Sequence, residues 1–464
     1  MDKTSARLIK YASDFSESDL SEAATEKVTG LLFDSIVCAI VGARSAPASI
    51  MARLAQRVQS SPSATVFGYD IQTSPELAAL ANAMMVRTDD YNDAYFGHPS
   101  DMIPGVLAAA EVARSSGKQV LTAVTLAYEV YGAFSRSGPY HLESGLDYGL
   151  SMNVGVALAV GRLWNFTQAQ LANAASLALV PNLPMGVARW GALSMMKGCN
   201  TAFSVRNGVF AAMLAKEGFT SAEEPYEGLF GLQHFTGSFN LRLPLDPQKR
   251  VVEMVYIKPI PAENNTIGVI ELAPKIRAWT SVDEIESIDI EVASGLDVHL
   301  ADEPKYDPRT RETADHSFPY MLARGLVDGG ITLDSYTPDR IADPSIRPLM
   351  RKIRVHANEE MKRIMKASAV HEPEAKPARV TVRTKTGRVL IEDVMGHTGH
   401  PDRPVSTRHR VINSKLDICA KAVQMPTAQR ERIRETWWKV AEASDIRVAM
   451  ATMRKFGSLR RMCR

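Results

Sequence analysis

The run Arg87-Thr88-Asp89-Asp90-Tyr91-Asn92-Asp93, followed by Gly97-His98-Pro99-Ser100-Asp101, decides how this chain is read. It gathers an arginine, four carboxylates, an imidazole, an amide and a hydroxyl between two apolar helical patterns. Upstream, Pro75 opens a helix with Leu77, Leu80, Ala81 and Met84 on one face, and that helix delivers the run at its carboxyl end. Downstream, residues 102–115 form the next apolar helix. Arg87 can clamp a carboxylate with two parallel hydrogen bonds. Asp90 and His98 can move a proton near neutral pH in a partly desolvated site. Pro99 holds His98 toward an extended conformation, which puts the imidazole in a turn. A solvated loop whose aspartates cap the next helix explains any one aspartate, but not the whole cluster.

Working outward, the first part of the chain reads as all-α. Ser18 and Asp19 are expected to cap a helix running to about Ala43, with Val28, Leu31, Leu32 and Ile36 as its apolar stripe. A shorter helix is expected at 50–58, then an extended piece at 65–68. Helices at 102–115 and 120–134 are separated by Ser115-Ser116-Gly117. Residues 150–164 are apolar nearly all round, so that helix should be buried among others. Helices at 168–180 and 202–216 follow. After about Ile270 the period changes: Ile285, Ile288 and Ile290 set against Glu286, Asp289 and Glu291 predict a half-buried strand. Residues 353–356 are a second strand, and 378–383 and 388–394 form a hairpin through Lys385-Thr386-Gly387. A helix at 314–326 lies among them, and from Val411 onward the pattern is helical again. The architecture expected is mainly α: a large all-helical domain at 1–268 and 400–464, with a smaller α+β domain inserted at 269–399.

Composition narrows the function classes. Hydrophobic residues at 45% and charged residues at 23% fit a globular protein with a sizeable core. A formal net charge of +2 gives no basic field for nucleic acid or a membrane surface. Cys38, Cys199, Cys419 and Cys463 are far apart and form no CxxC pair, which argues against a structural zinc site, an iron–sulfur cluster or a disulfide scaffold. A reducing, cytoplasmic compartment is expected, since the first ten residues lack the apolar run of a signal peptide. No transit peptide is visible, although the mitochondrial matrix would suit a eukaryotic chain.

Other polar groups stand out. Tyr148 precedes the buried helix at 150–164, where a phenol can act as an acid or donate a hydrogen bond. Ser194-Met195-Met196-Lys197-Gly198-Cys199-Asn200 sets one lysine among apolar and small residues just before a helix, a place that attracts anions. Lys258-Pro259-Ile260-Pro261-Ala262-Glu263-Asn264-Asn265-Thr266 reads as a hinge that can carry ligand contacts. Asp315-His316-Ser317-Phe318-Pro319-Tyr320 opens a helix in the smaller domain. Gly399-His400-Pro401 reads as a structural loop.

Taken together these segments resemble the MmgE/PrpD family. The most specific match is Arg87-x-x-Asp90-Tyr91-Asn92-Asp93 with Gly97-His98-Pro99-Ser100-Asp101, which is most similar to the 2-methylcitrate dehydratase branch. Lys197-Gly198-Cys199, Arg206-Asn207-Gly208, Pro261-Ala262-Glu263, Asp315-His316-Ser317 with Tyr320, and Gly399-His400-Pro401 support it. The family also contains cis-aconitate decarboxylases and iminodisuccinate epimerase. The resemblance implies a helical domain with an α+β lid, a homodimer, a site between the domains, and no metal or cofactor. It implies a lyase acting on a polycarboxylate, foremost a hydro-lyase on 2-methylcitrate or another 2-alkylcitrate. Cis-aconitate decarboxylation, epimerisation of a dicarboxylate and an inactive binding paralogue are the alternatives. Arg87, Asn92, Ser100, Asn207, Asn265, His316 and Tyr320 are then expected around the substrate, with Asp90, His98, Lys197 and Tyr148 catalytic. The chain departs from the family pattern in three places: Tyr148 and Asn264-Asn265 stand where histidines are usual, and Ala94 where decarboxylases carry a threonine.

Overall fold

The computed structural model describes residues 1–138, 144–368 and 373–456. Cys463 and the last residues of the expected carboxyl-terminal helical stretch lie outside them. The chain divides into two compact units, one of Met1–Val187, Gly198–Ile257 and Pro404–Arg464, the other of Ala188–Lys197 and Lys258–Arg403.

The first unit is built on the helix Glu22–Gly42, buried from Val28 to its end and packed against the helices Pro75–Arg87 and Val405–Ala422. Its cap is Ser21, whose hydroxyl accepts from the Ala24 N–H, and not Ser18 or Asp19. Those two belong to a separate turn, Glu17–Asp19, in which the Asp19 carboxylate bonds back to the Ser16 N–H and closes the turn on itself. The next helix also starts earlier than 50, at Ala46, because Ser45 caps it and Pro47 fits its first turn. A helix Lys3–Asp14, unread in the sequence, is capped by Asp2 and buries Leu8, Ile9 and Ala12. The expected extended piece has a partner: Ala64–Val66 pairs antiparallel with Ile71–Thr73, so this unit is not purely helical. Gly149–Leu163 is buried nearly all round, against Gly117–Ser137, Ile103–Ala113 and Gln168–Leu179. No single described helix is long and apolar enough to cross a membrane.

The second unit holds a four-stranded sheet in the order Ile353–Asn358, Ile285–Ala293, Ala378–Thr384, Val389–Val394. The first pair is parallel and the others antiparallel. Ile285 and Ile288 are three residues apart yet both buried, which a strict period of two forbids. A register irregularity between Ile285 and Ser287 supplies the extra residue that turns both inward. Gly387, at φ +83°, makes the expected hairpin turn. The helix expected at 314–326 is instead broken into Arg311–Ala314 and Phe318–Asp328. Pro319 fits only the first turn of a helix, so a new helix starts there, with the Ser317 hydroxyl accepting from the Tyr320 N–H. The break leaves Asp315 and His316 between two helix ends.

Candidate active site

Arg87 is the last residue of its helix, and the chain then turns sharply enough to place Asp90 at φ +49°. A side chain other than glycine held in that left-handed region costs about 1–2 kcal/mol, so the surroundings must fix it. Arg87 Nη1 lies 2.5 Å from Asp90 Oδ1, and Arg87 Nε lies 3.9 Å from Asp101 Oδ2, with 2% and 0% of the Arg87 and Asp90 side chains exposed. The Tyr148 hydroxyl takes a further hydrogen bond from Arg87. Burial pulls the guanidinium pKa down, but Asp90, Tyr148 and Asp101 outweigh it and push it up, so Arg87 stays charged. Because the fork is engaged by Asp90, clamping a substrate carboxylate requires that partner to be shared or exchanged.

His98 sits just before the 3-10 turn Pro99–Met102 with φ −133° and ψ 78°, extended as Pro99 requires. Its Nδ1 is 2.5 Å from the Asp93 carbonyl oxygen. A carbonyl only accepts, so Nδ1 carries a hydrogen, and Nε2 is the nitrogen that gains or loses a proton. Nε2 is 3.5 Å from Asp90 Oδ1, and the His98 and Tyr148 ring centroids are 6.3 Å apart. Gly97, at φ +141°, makes this approach possible: a Cβ there would stand 2.4 Å from the Tyr131 hydroxyl and 2.9 Å from the Tyr148 ring. Tyr148, directly ahead of the helix Gly149–Leu163, also borders a small open pocket lined by Ser135, Asp147 and Ser151 among others.

The rest of the run frames these groups. The Asp93 carboxylate accepts from the Ser100 N–H at 3.1 Å, the Ser100 hydroxyl at 2.5 Å and the Tyr128 hydroxyl at 2.8 Å. Asn92 Nδ2 donates to Ser100 Oγ and Asp101 Oδ1, both at 2.8 Å, and Thr201 Oγ1 donates to Asp101 Oδ2 at 2.6 Å. Asn92 and Ser100, expected to meet substrate, are buried and spend these donors inside the loop. Burial, only partly offset by those hydrogen bonds, pushes the Asp93 carboxyl up to about 7. Gly198 lets the helix Met196–Lys216 approach the turn closely, since a Cβ there would be 3.3 Å from the Thr88 Cα.

The second unit carries its own buried cluster. Lys197 lies in the first turn of the helix Met196–Lys216, not ahead of it, and is 1% exposed. Its Nζ is 2.7 Å from Asp315 Oδ1, and His316 Nδ1 is 2.8 Å from the same oxygen. The His316 ring lies 5.8 Å from His299, which packs edge-on to Trp190 at 5.4 Å. Burial first, then the positive charges of His316, Lys305, Arg189 and Lys197, lower His299 to about 3, so it is neutral. Asn265 donates to Glu263 at 2.8 Å, and the buried Tyr320 hydroxyl donates to the Ser335 carbonyl at 2.5 Å. Neither reaches the Lys197 group through those bonds. Asn207 accepts from Arg206 at 3.2 Å on a half-exposed helix face. Asp93, Asp101 and Asp315 stood in the motifs without a role assigned, and their hydrogen bonds now supply one. His299 had no motif around it to mark it, and Lys258, fully buried, opened the hinge run without a role of its own assigned.

The first cluster therefore sets a cation, a carboxylate and an imidazole nitrogen side by side, the parts that proton abstraction beside a carboxylate requires. Two family models match the chain: the MmgE/PrpD N-terminal domain over residues 6–241 and the MmgE/PrpD C-terminal domain over residues 260–439. A cis-aconitate decarboxylase from Aspergillus terreus is 24% identical over 398 residues, covering 76% of this chain and 78% of that protein. A 2-methylcitrate dehydratase from Escherichia coli (strain K12) is 27% identical over 401 residues, covering 79% and 80%. A probable 2-methylcitrate dehydratase from Saccharomyces cerevisiae is 28% identical over 334 residues, covering 63% and 62%.

Proposed function

The chain belongs to the MmgE/PrpD family, and from that premise we propose that it is a lyase acting on a tricarboxylate, dehydrating 2-methylcitrate or another 2-alkylcitrate. The observation that carries the reading is His98, with Nδ1 tied to the Asp93 carbonyl and Nε2 turned to Asp90 beside the charged Arg87. Dehydration removes a proton next to a carboxylate and expels a β-hydroxide. The first step needs a base and a positive charge near the enediolate-like transition state, and the second an acid for the leaving oxygen. Asp90, His98 and Tyr148 divide the proton transfers. Arg87, Lys197 and Asn207 bind substrate carboxylates, and Lys197 adds charge stabilisation. Decarboxylation of cis-aconitate is the second reading, favoured by a relative of that name over most of both chains.

Proton NMR in deuterated buffer, with citrate, 2-methylcitrate, longer 2-alkylcitrates and cis-aconitate supplied separately, tests this. Loss of the C–H signal beside the alkyl group is expected, with the methyl doublet of 2-methylcitrate becoming the singlet of a methyl on a double bond. Methylene signals of itaconate type from cis-aconitate would replace the dehydratase reading, and exchange of deuterium with neither product would indicate an epimerase. On the accepted substrate, His98→Ala and Lys197→Ala should each lower turnover by about 100-fold, the usual worth of a positioned acid–base group. Survival of both within about threefold would remove these residues from the mechanism.

The same premise leads us to propose a homodimer, with the helix Met196–Lys216 at its interface. On that helix Phe203 and Phe210, seven residues apart on one face, are each 40% exposed. The Arg206 guanidinium lies over the Phe210 ring at 5.6 Å between them. A phenyl stripe of this kind is the material of an interface core with a second copy of the chain.

A further inference from the structure

The turn that holds Asp90 rests on a second buried ion pair with no part in the chemistry above. Lys415, on the helix Val405–Ala422, and Asp34, on the helix Glu22–Gly42, meet at 2.5 Å with 1% of each side chain exposed. An ammonium has three N–H donors. One goes to Asp34, and another to the backbone carbonyl of Tyr91 at 2.7 Å. The Cys38 thiol also bonds to Lys415. The ammonium lies 4.3 Å from the centroid of the Tyr91 ring as well, so residue 91 is gripped at both backbone and side chain. Tyr91 follows the left-handed Asp90 and precedes Asn92, whose amide bonds to Asp101 and Ser100.

A buried ion pair seldom stabilises a fold more than two apolar side chains of similar volume, because both ions must shed their water. Helix packing alone would be served as well by a leucine and a methionine. What the ammonium adds is a directed grip on one peptide group. We propose that Lys415, held by Asp34, is a positioning residue: it fixes the Tyr91 carbonyl and thereby keeps Asp90 in its strained turn against Arg87 and His98. Released, residue 90 relaxes toward ordinary backbone angles and its carboxylate leaves both partners. The catalytic arm of this inference rests on the reading of Asp90 and His98 as proton carriers; the structural arm does not.

The test uses the full chain with Asp34→Leu and Lys415→Met combined, which removes both charges and leaves no orphaned ion. Hydrogen–deuterium exchange of residues 88–101 should rise about tenfold while the distant helix Gln168–Leu179 exchanges as before. Turnover of the accepted substrate should fall about tenfold or more with KM within threefold, since a misplacement of an ångström can cost that much. The thermal midpoint should stay near that of the parent, which separates positioning from plain loss of stability. Wild-type exchange in 88–101 together with turnover within twofold would overturn the proposal. Should the double variant not fold, Lys415→Arg decides: retained charge and donors must keep exchange near the parent level, and a rise equal to that of Lys415→Met would overturn it. Raised exchange in the variant, with a parent protein that itself turns over none of these acids, would leave the positioning intact and count against the lyase reading instead.

Discussion

At the scale of single residues, one hydrogen bond fixes the tautomer of His98. The Asp93 carbonyl occupies Nδ1, which leaves Nε2 as the nitrogen that exchanges a proton in the role proposed for His98. Asp93 itself is fully buried and its carboxyl is raised to about 7, above the roughly 3.9 of an unfolded aspartate. Between those two values the folded protein holds a proton that the unfolded chain has released. Asp93 therefore adds stability at low pH and loses it as pH rises from about 4 to about 7. Asp93→Asn, which mimics the protonated acid, should remove that dependence. Thermal midpoints taken at intervals from pH 4 to pH 8 would show the variant gaining on the parent across that window, and parallel curves would contradict the assignment. The residue types of the site were legible in the sequence, because an arginine and four carboxylates in so short a run have few structural uses. Their partners were not, because the donors of Asn92 and Ser100 turn inward only when the loop closes on Tyr128 and Thr201.

At the scale of elements, the close approach of the loop 87–101 to the start of Gly149–Leu163 depends on Gly97. Its φ of +141° and the 2.4 Å and 2.9 Å distances a Cβ would have make Gly97→Ala doubly unfavourable. Strained backbone of this kind costs on the order of 1–3 kcal/mol, and the crowding displaces Tyr148. Gly145 is the control: it also has positive φ, at +72°, but a Cβ there meets nothing within 4 Å. Gly97→Ala should lower turnover about tenfold or more and reduce the thermal midpoint, while Gly145→Ala has the smaller effect on turnover. Equal effects on turnover would mean that backbone strain alone accounts for the loss. Elements were legible where a local signal is unambiguous, as with Pro75, the apolar helix at 150–164 and the hairpin through Gly387. They were misread at their ends, where Ser21 won over Ser18 as a cap, and at Pro319, which starts a helix rather than continuing one.

At the scale of the whole molecule, the proposed homodimer makes a direct prediction. Light scattering after size exclusion should give twice the mass of one chain, and Phe203→Glu with Phe210→Glu should yield a folded monomer with unchanged helical circular dichroism. A wild-type monomer at micromolar concentration would dismiss the interface. By itself the sequence determined that the chain is mainly helical with a later stretch of strands, because periods of 3.6 and 2 are properties of neighbouring residues. It also determined the chemical types gathered in the run 87–101. Only the tertiary structure decided that Arg87 is held by Asp90, that Lys197 and His316 share one oxygen of Asp315, and that Lys415 grips the Tyr91 carbonyl. The last joins residues 324 positions apart, and a buried cation is stable only where the fold brings it partners. No local pattern announces that meeting, because its energy comes from removing both groups from water together.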